Sequence, residues 1–155
     1  MIESSKRLMK FSLISFVFVF VFGVIRSMEF FKTFFNDQEA MKNIMLFHSH
    51  FDQLCWLGAA AIGAVFYVFN DLYLGKKRIL ENFIRFYIIG TLLFALSFLI
   101  RALGFALGIV IFRKFLFILL VSIGGFIFIL LIGFTIYILY NLKRTVQQNT
   151  KSNPY

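Results

Sequence analysis

The chain has 155 residues but only one cysteine, one proline, two histidines and seven acidic residues. A single cysteine, Cys55, excludes an intramolecular disulfide and a cysteine-based metal cage. Lying between Leu54 and Trp56 in an apolar stretch, it reads as an inert buried thiol. There is no glycine-rich nucleotide loop, no Ser/His/Asp set and no paired-carboxylate arrangement, so hydrolase and kinase chemistry find no footing. The shortage of acidic residues leaves a formal charge of +9. Most of the Lys and Arg sit in short clusters at the ends of apolar segments, a pattern of headgroup anchoring rather than of nucleic-acid binding.

What the chain has in abundance is apolar surface: 61% of residues are hydrophobic, 20% are aromatic and 24 are Phe. A soluble domain is nearer one half apolar. We therefore expect an all-α integral membrane four-helix bundle, a single domain over 1–155, with a tendency to oligomerise. The spans are expected at 8–27, 46–70, 81–103 and 113–142.

The first apolar run, 11–25, is flanked by Lys6, Arg7 and Lys10 and by Arg26. No small-x-small cleavage site follows it, so it reads as a retained helix and not a signal peptide. A Phe- and Met-rich loop is expected between Ser27 and Phe47, and Asn36 followed by Glu39 is an N-cap signal that starts a helix near Asp37. Continued to Phe69 or Asn70, that helix would be about 50 Å long against a hydrocarbon core of ~30 Å. In the third segment Glu81 and Arg85 are spaced for an i, i+4 ion pair, with Arg101 at the far end. The stretch 115–142 carries no formal charge for 28 residues.

Four spans place Lys6, Arg7, Lys10, Lys76, Lys77, Arg78, Lys143, Arg144 and Lys151 on one side, and Arg26, Lys32, Lys42, Arg101, Arg113 and Lys114 on the other. The excess of basic residues on the first side puts both termini in the cytoplasm. Gly58, Ala59, Ala60, Ala61, Gly63 and Ala64 in the second helix, with Ser122, Gly124 and Gly125 in the fourth, give smooth faces. These suit close helix packing, subunit contact or a flat cofactor.

Both histidines fall in Phe47-His48-Ser49-His50-Phe51-Asp52-Gln53-Leu54-Cys55-Trp56. Ionisable groups at membrane depth are functional by default; the bland alternative is an interfacial cluster with Asp52 paired to Arg101 or Arg26. His48 and Asp52 share a helix face, whereas His48 and His50 are about 200° apart. A three-ligand zinc or iron site would thus need a broken helix or a second subunit. One imidazole is enough to hold haem iron. A sixth ligand would then come from Met28, Met41, Met45, a polar side chain, water, substrate or a neighbouring subunit.

The spacing His48-x-His50-x-Asp52-x-Leu54-x-Trp56, continuing to Gly63 and Phe66-Tyr67, resembles the haem-ligating helix of small membrane proteins related to haem-copper oxidases and nitric oxide reductases. The His48-Ser49 pair opening the second of four short spans is also similar to styrene oxide isomerases. That resemblance implies haem b on the histidine, with ferric iron acting as a Lewis acid on an epoxide. Where that family carries a substrate-positioning Asn, six residues after the His, this chain has Leu54.

For a bound haem b, His48 is the first choice of axial ligand, with Asp52 to orient it and His50 as the alternative. Arg101, Arg113, Lys114 and Arg26 lie on the matching membrane side as propionate donors. The expected function is a haem b protein acting as Lewis acid or redox centre on a small hydrophobic substrate. The alternative is a non-catalytic accessory subunit of a larger membrane complex. Its partners are the bilayer and either further copies of itself or other subunits, with no nucleic acid. A transporter is disfavoured by the lack of charge deep in the fourth helix and of inverted repeats.

Overall fold

A backbone in hydrocarbon must satisfy its own N–H and C=O groups, which leaves the helix as the local solution for apolar runs of this length. The computed structural model describes residues 3–68 and 77–152, and no strand occurs among them. Helix α1 is Glu3–Ser27, α2 is Glu29–Phe34 and α3 is Gln38–His50. A π-helical segment, Phe51–Gly58, carries α3 directly into α4, Ala59–Val68. Helix α5 is Lys77–Ala106, and a second π-helical turn, Phe112–Leu116, leads into α6, Phe117–Ser152. Four stretches are long and apolar enough to cross a membrane: Ser5–Ser27, Gln38–Val68, Arg78–Ala106 and Phe112–Tyr137. The chain is thus an all-α, multi-pass integral membrane protein built as a four-helix bundle.

Glu29–Phe34, within the expected loop between Ser27 and Phe47, is helical, and the helix that carries the second span starts at Gln38, where the capping signal placed it. Its N-cap is Asp37 rather than Asn36, with the carboxylate accepting from the Ala40 N–H at 2.9 Å. Phe31 and Phe35, around α2, bury themselves against Ala40, Ile44 and Ala102, which turns the aromatic connection into a cap over one end of the bundle. The proposed helix end at Phe69 or Asn70, and Lys76, lie outside the described residues, as do the side chains of Lys77, Lys143, Arg144 and Lys151.

The spans pack in chain order, α1 on the second span, the second span on α5, and α5 on α6. The first and fourth spans are the least buried and the third the most. Outward apolar faces on α1 and α6 follow, and in a bilayer they meet lipid. Core side chains form three layers: Leu8, Phe66, Phe83 and Leu131 at the α1 N-terminal end, Phe47, Phe51, Cys55 and Ala95 in the middle, and the Phe31–Ile44 group at the other end.

Polar side chains tie the helices together where apolar contact has little drive of its own. Ser5 donates to the Gly63 carbonyl at 2.8 Å and Ser12 to that of Trp56 at 3.1 Å, joining α1 to the second span. Tyr87 on α5 donates to the Leu54 carbonyl at 2.6 Å. Two of these three acceptors lie in the π-helical segment. Gly63 faces Leu8 and Met9, and Gly58 faces Tyr87, so the small residues of the second helix are divided between two neighbours. The expected Glu81–Arg85 ion pair is not formed, and among the described residues the salt bridge is Lys42–Glu39, at 3.7 Å on an exposed turn.

Candidate functional site

His48 and His50 end α3 and so keep regular helical geometry, which turns them to opposite neighbours. The His48 ring stacks on Phe22 with centroids 5.9 Å apart, and its Cε1 lies 3.8 Å from where a Cβ on Gly23 would stand. His50 instead packs on α5, 5.2 Å from the Phe94 ring and 4.9 Å from that of Phe98. Both imidazoles are half-buried. A single ion cannot take both from one chain.

Asp52 follows His48 by one turn. With Arg26 it is one of the two charged groups close enough to act electrostatically on that imidazole. Its Oδ1 is buried and has no hydrogen-bond partner. Neither expected pairing, to Arg101 or to Arg26, is made among the described residues. The reason is direction. Arg101 extends along α5 toward α6, its guanidinium 4.4 Å from the Phe117 ring centre and 5.9 Å from that of Phe105, and its buried Nε has no hydrogen-bond partner.

The other expected contributors divide clearly. Arg113 Nε donates to the Gly104 carbonyl at 2.8 Å and the guanidinium sits over Phe105, so it caps the end of α5 and is committed there. Lys114 is exposed and Arg26 half-buried. Met41 packs with the Phe31 and Ile44 cluster, whereas Met28 and Met45 are exposed. Cys55 is fully buried in the middle core layer, as its neighbours suggested.

Sequence reasoning missed three features that position this site. Phe22 stacks on His48 and Gly23 lets the ring lie close to α1; a glycine within an apolar helix was the available signal. Tyr87 was passed over as one more aromatic. The third is the π-helical segment beginning directly after His50, a distortion frequent at functional sites that hydrophobic periodicity does not reveal.

The donor chemistry fits a single imidazole ligand, and among the described residues of one chain no three His, Cys, Asp or Glu side chains gather around a common point. A half-buried imidazole packed against Phe22 and Gly23, with an unpartnered carboxylate oxygen one turn away, is chemically suited to a haem ligand and the group that orients it. Comparison with known protein families, with curated proteins and with solved structures finds no match.

Proposed function

We propose that this chain is a membrane-embedded haem b protein with His48 as the axial ligand. The observation that carries the reading is Asp52 Oδ1, buried without a partner one turn from His48. Stranding a buried acceptor costs about 1–3 kcal/mol, and more for a charged one. An imidazole N–H turned toward Asp52 would recover that cost and would leave the other ring nitrogen available to hold the iron. In this arrangement Asp52 would fix the tautomer, and Arg26, whose charge reaches His48, would be a candidate to pair with a propionate. Arg101 keeps a free Nε for the same task, while Arg113 does not take part. Phe22 and its neighbours exclude water.

Bound haem supplies Lewis-acid or redox chemistry. The substrate is small and hydrophobic, since the walls around the histidine offer aromatic rings. Leu54 gives no amide where styrene oxide isomerases carry one, so positioning falls to shape. Both termini are assigned to the cytoplasm on the Lys and Arg distribution, which reporter fusions at each end would check.

The test is a visible spectrum of protein purified from haem-replete cells. The expected result is a Soret band that is lost in His48→Ala and kept in His50→Ala. A colourless wild type would sink the haem reading, and bands unchanged in both variants would sink the ligand assignment.

A second reading has its own observation. The outer faces of α1 and α6 are apolar, and Gly125 and Gly133 on α6 have nothing within 4 Å of a would-be Cβ. Such a face suits docking against further helices, of this chain or of other subunits. It predicts a colourless protein that purifies with stoichiometric partners.

A further inference from the structure

We propose that the open end of the α5–α6 pair binds one anionic phospholipid, with its phosphate on Arg78 and Arg85 and an acyl chain in the groove between the helices. The two helices are in close contact where Gly90 meets Ile127 and Gly124 meets Phe94. Beyond that crossing, toward Arg78, lies a groove of about 300 Å³ lined by Ile79, Asn82, Phe83, Phe86, Leu130 and Phe134. Apart from Asn82 these side chains are apolar, a surface that accepts a hydrocarbon chain.

The charge beside the groove selects the lipid. Arg78, Asn82 and Arg85 stand at i, i+4 and i+7, so they share one face of α5, and all three are exposed. Arg85 is seven residues, roughly 10 Å, further into the span than Arg78. Glu81, one turn away, makes no ion pair with it, and Arg85 has no other ion pair among the described residues. A guanidinium inside a span without a counter-charge is costly, and the anion that a bilayer supplies at this depth is a lipid phosphate. Arginine offers that phosphate a bidentate fork. A zwitterionic headgroup brings its own cation and relieves less of this charge. Lys6, Arg7 and Lys10 lie at the same end of the bundle and raise the local concentration of anionic lipid. None of this depends on haem.

The test uses the full chain in mild detergent, offered phosphatidylglycerol or phosphatidylcholine with identical acyl chains, with retained lipid counted by native mass spectrometry. One phosphatidylglycerol is expected per chain, retained roughly tenfold or more over phosphatidylcholine. At about fivefold per arginine, R78Q/R85Q should lower its retention by about 25-fold. Ile79→Trp, which fills the groove, should weaken retention of both lipids. Should the double variant fail to fold, wild type in about 1 M salt, where the Debye length falls to ~3 Å, should lose most of its preference. Equal retention of the two lipids by wild type, a preference that survives both R78Q/R85Q and high salt, or displacement of the lipid by inorganic phosphate would overturn the proposal. Retention unchanged by Ile79→Trp would overturn the acyl groove.

Discussion

Replacing Gly90 and Gly124 by alanine should weaken the bundle by similar amounts, yet only the first loss should be recoverable by trimming the residue opposite. A Cβ on Gly90 would lie 2.5 Å from Ile127 Cγ2 and 3.1 Å from its Cβ. Carbon pairs rest at about 3.5–4.0 Å, so the overlap with the methyl is roughly 1 Å. A β-branched residue in a helix has one strongly preferred χ1, which keeps Ile127 from swinging aside. A Cβ on Gly124 would meet Phe94 Cβ at 3.0 Å and its Cα and N at 3.2 Å. Every one of those atoms survives truncation to alanine. Each single substitution should cost about 1–3 kcal/mol, the usual range for overpacking. In G90A/I127A the 2.5 Å clash with the methyl is removed and only the 3.1 Å approach to the Cβ of residue 127 remains, so the double variant should lose at least ~1 kcal/mol less than the sum of its singles. In G124A/F94A no such recovery is expected. SDS-driven unfolding in mixed micelles, followed by far-ultraviolet circular dichroism with Trp56 fluorescence as a second probe, gives the four energies of each cycle. Additivity at Gly90/Ile127, or rescue at Gly124/Phe94, would refute the packing argument.

Tyr87→Phe removes the donor to the Leu54 carbonyl and should cost about 0.6–1.7 kcal/mol by the same unfolding assay. Gly58→Ala puts a Cβ against the Tyr87 hydroxyl, so in that background Tyr87→Phe should cost almost nothing more. Arg113→Ala strips a charged donor from the Gly104 carbonyl. Stability should fall by about 1.5–3 kcal/mol, and amide exchange should speed up in the last turn of α5. Asp37→Ala should cost about 1 kcal/mol through the lost N-cap at Ala40, whereas Asp37→Asn should cost far less. A full-size effect from the asparagine would point to charge rather than capping.

The spans were legible because membrane insertion is decided by length and hydrophobicity, both local properties of sequence. The helix start near Asp37 was legible too, although two adjacent residues of capping type blurred it by one position. Residues 28–36 misled because a Phe- and Met-rich stretch that looks like a loop in isolation is largely helical once Phe31 and Phe35 find Ala40 and Ile44. That is tertiary packing overriding local composition. Opposite placement of His48 and His50 followed from 100° per residue and holds because α3 stays regular to His50. What the sequence did not reveal is the pairing of charges. Asp52, Arg26 and Arg101 share a membrane side, but Arg101 leans on Phe117, and no spacing rule reports which way a long side chain turns.

The residues that hold the fold and those that form the candidate site are largely different, although the π-helical segment Phe51–Gly58 carries members of both. Its Leu54 and Trp56 carbonyls are taken by Tyr87 from α5 and Ser12 from α1, so the second span is pinned from both sides just beyond Asp52. That clamp fixes the rotation of α3, and with it His48 against Phe22 and His50 against Phe94. His48 makes no hydrogen bond that the bundle depends on; its support is one ring stack at 5.9 Å. Losing the imidazole should therefore leave the helices in place, whereas losing the tyrosine should loosen them while His48 itself is retained. If His48→Ala removed a Soret band only by unfolding the chain, its helix content and unfolding midpoint would fall with the colour. A band lost at unchanged helix content is the signature of a ligand.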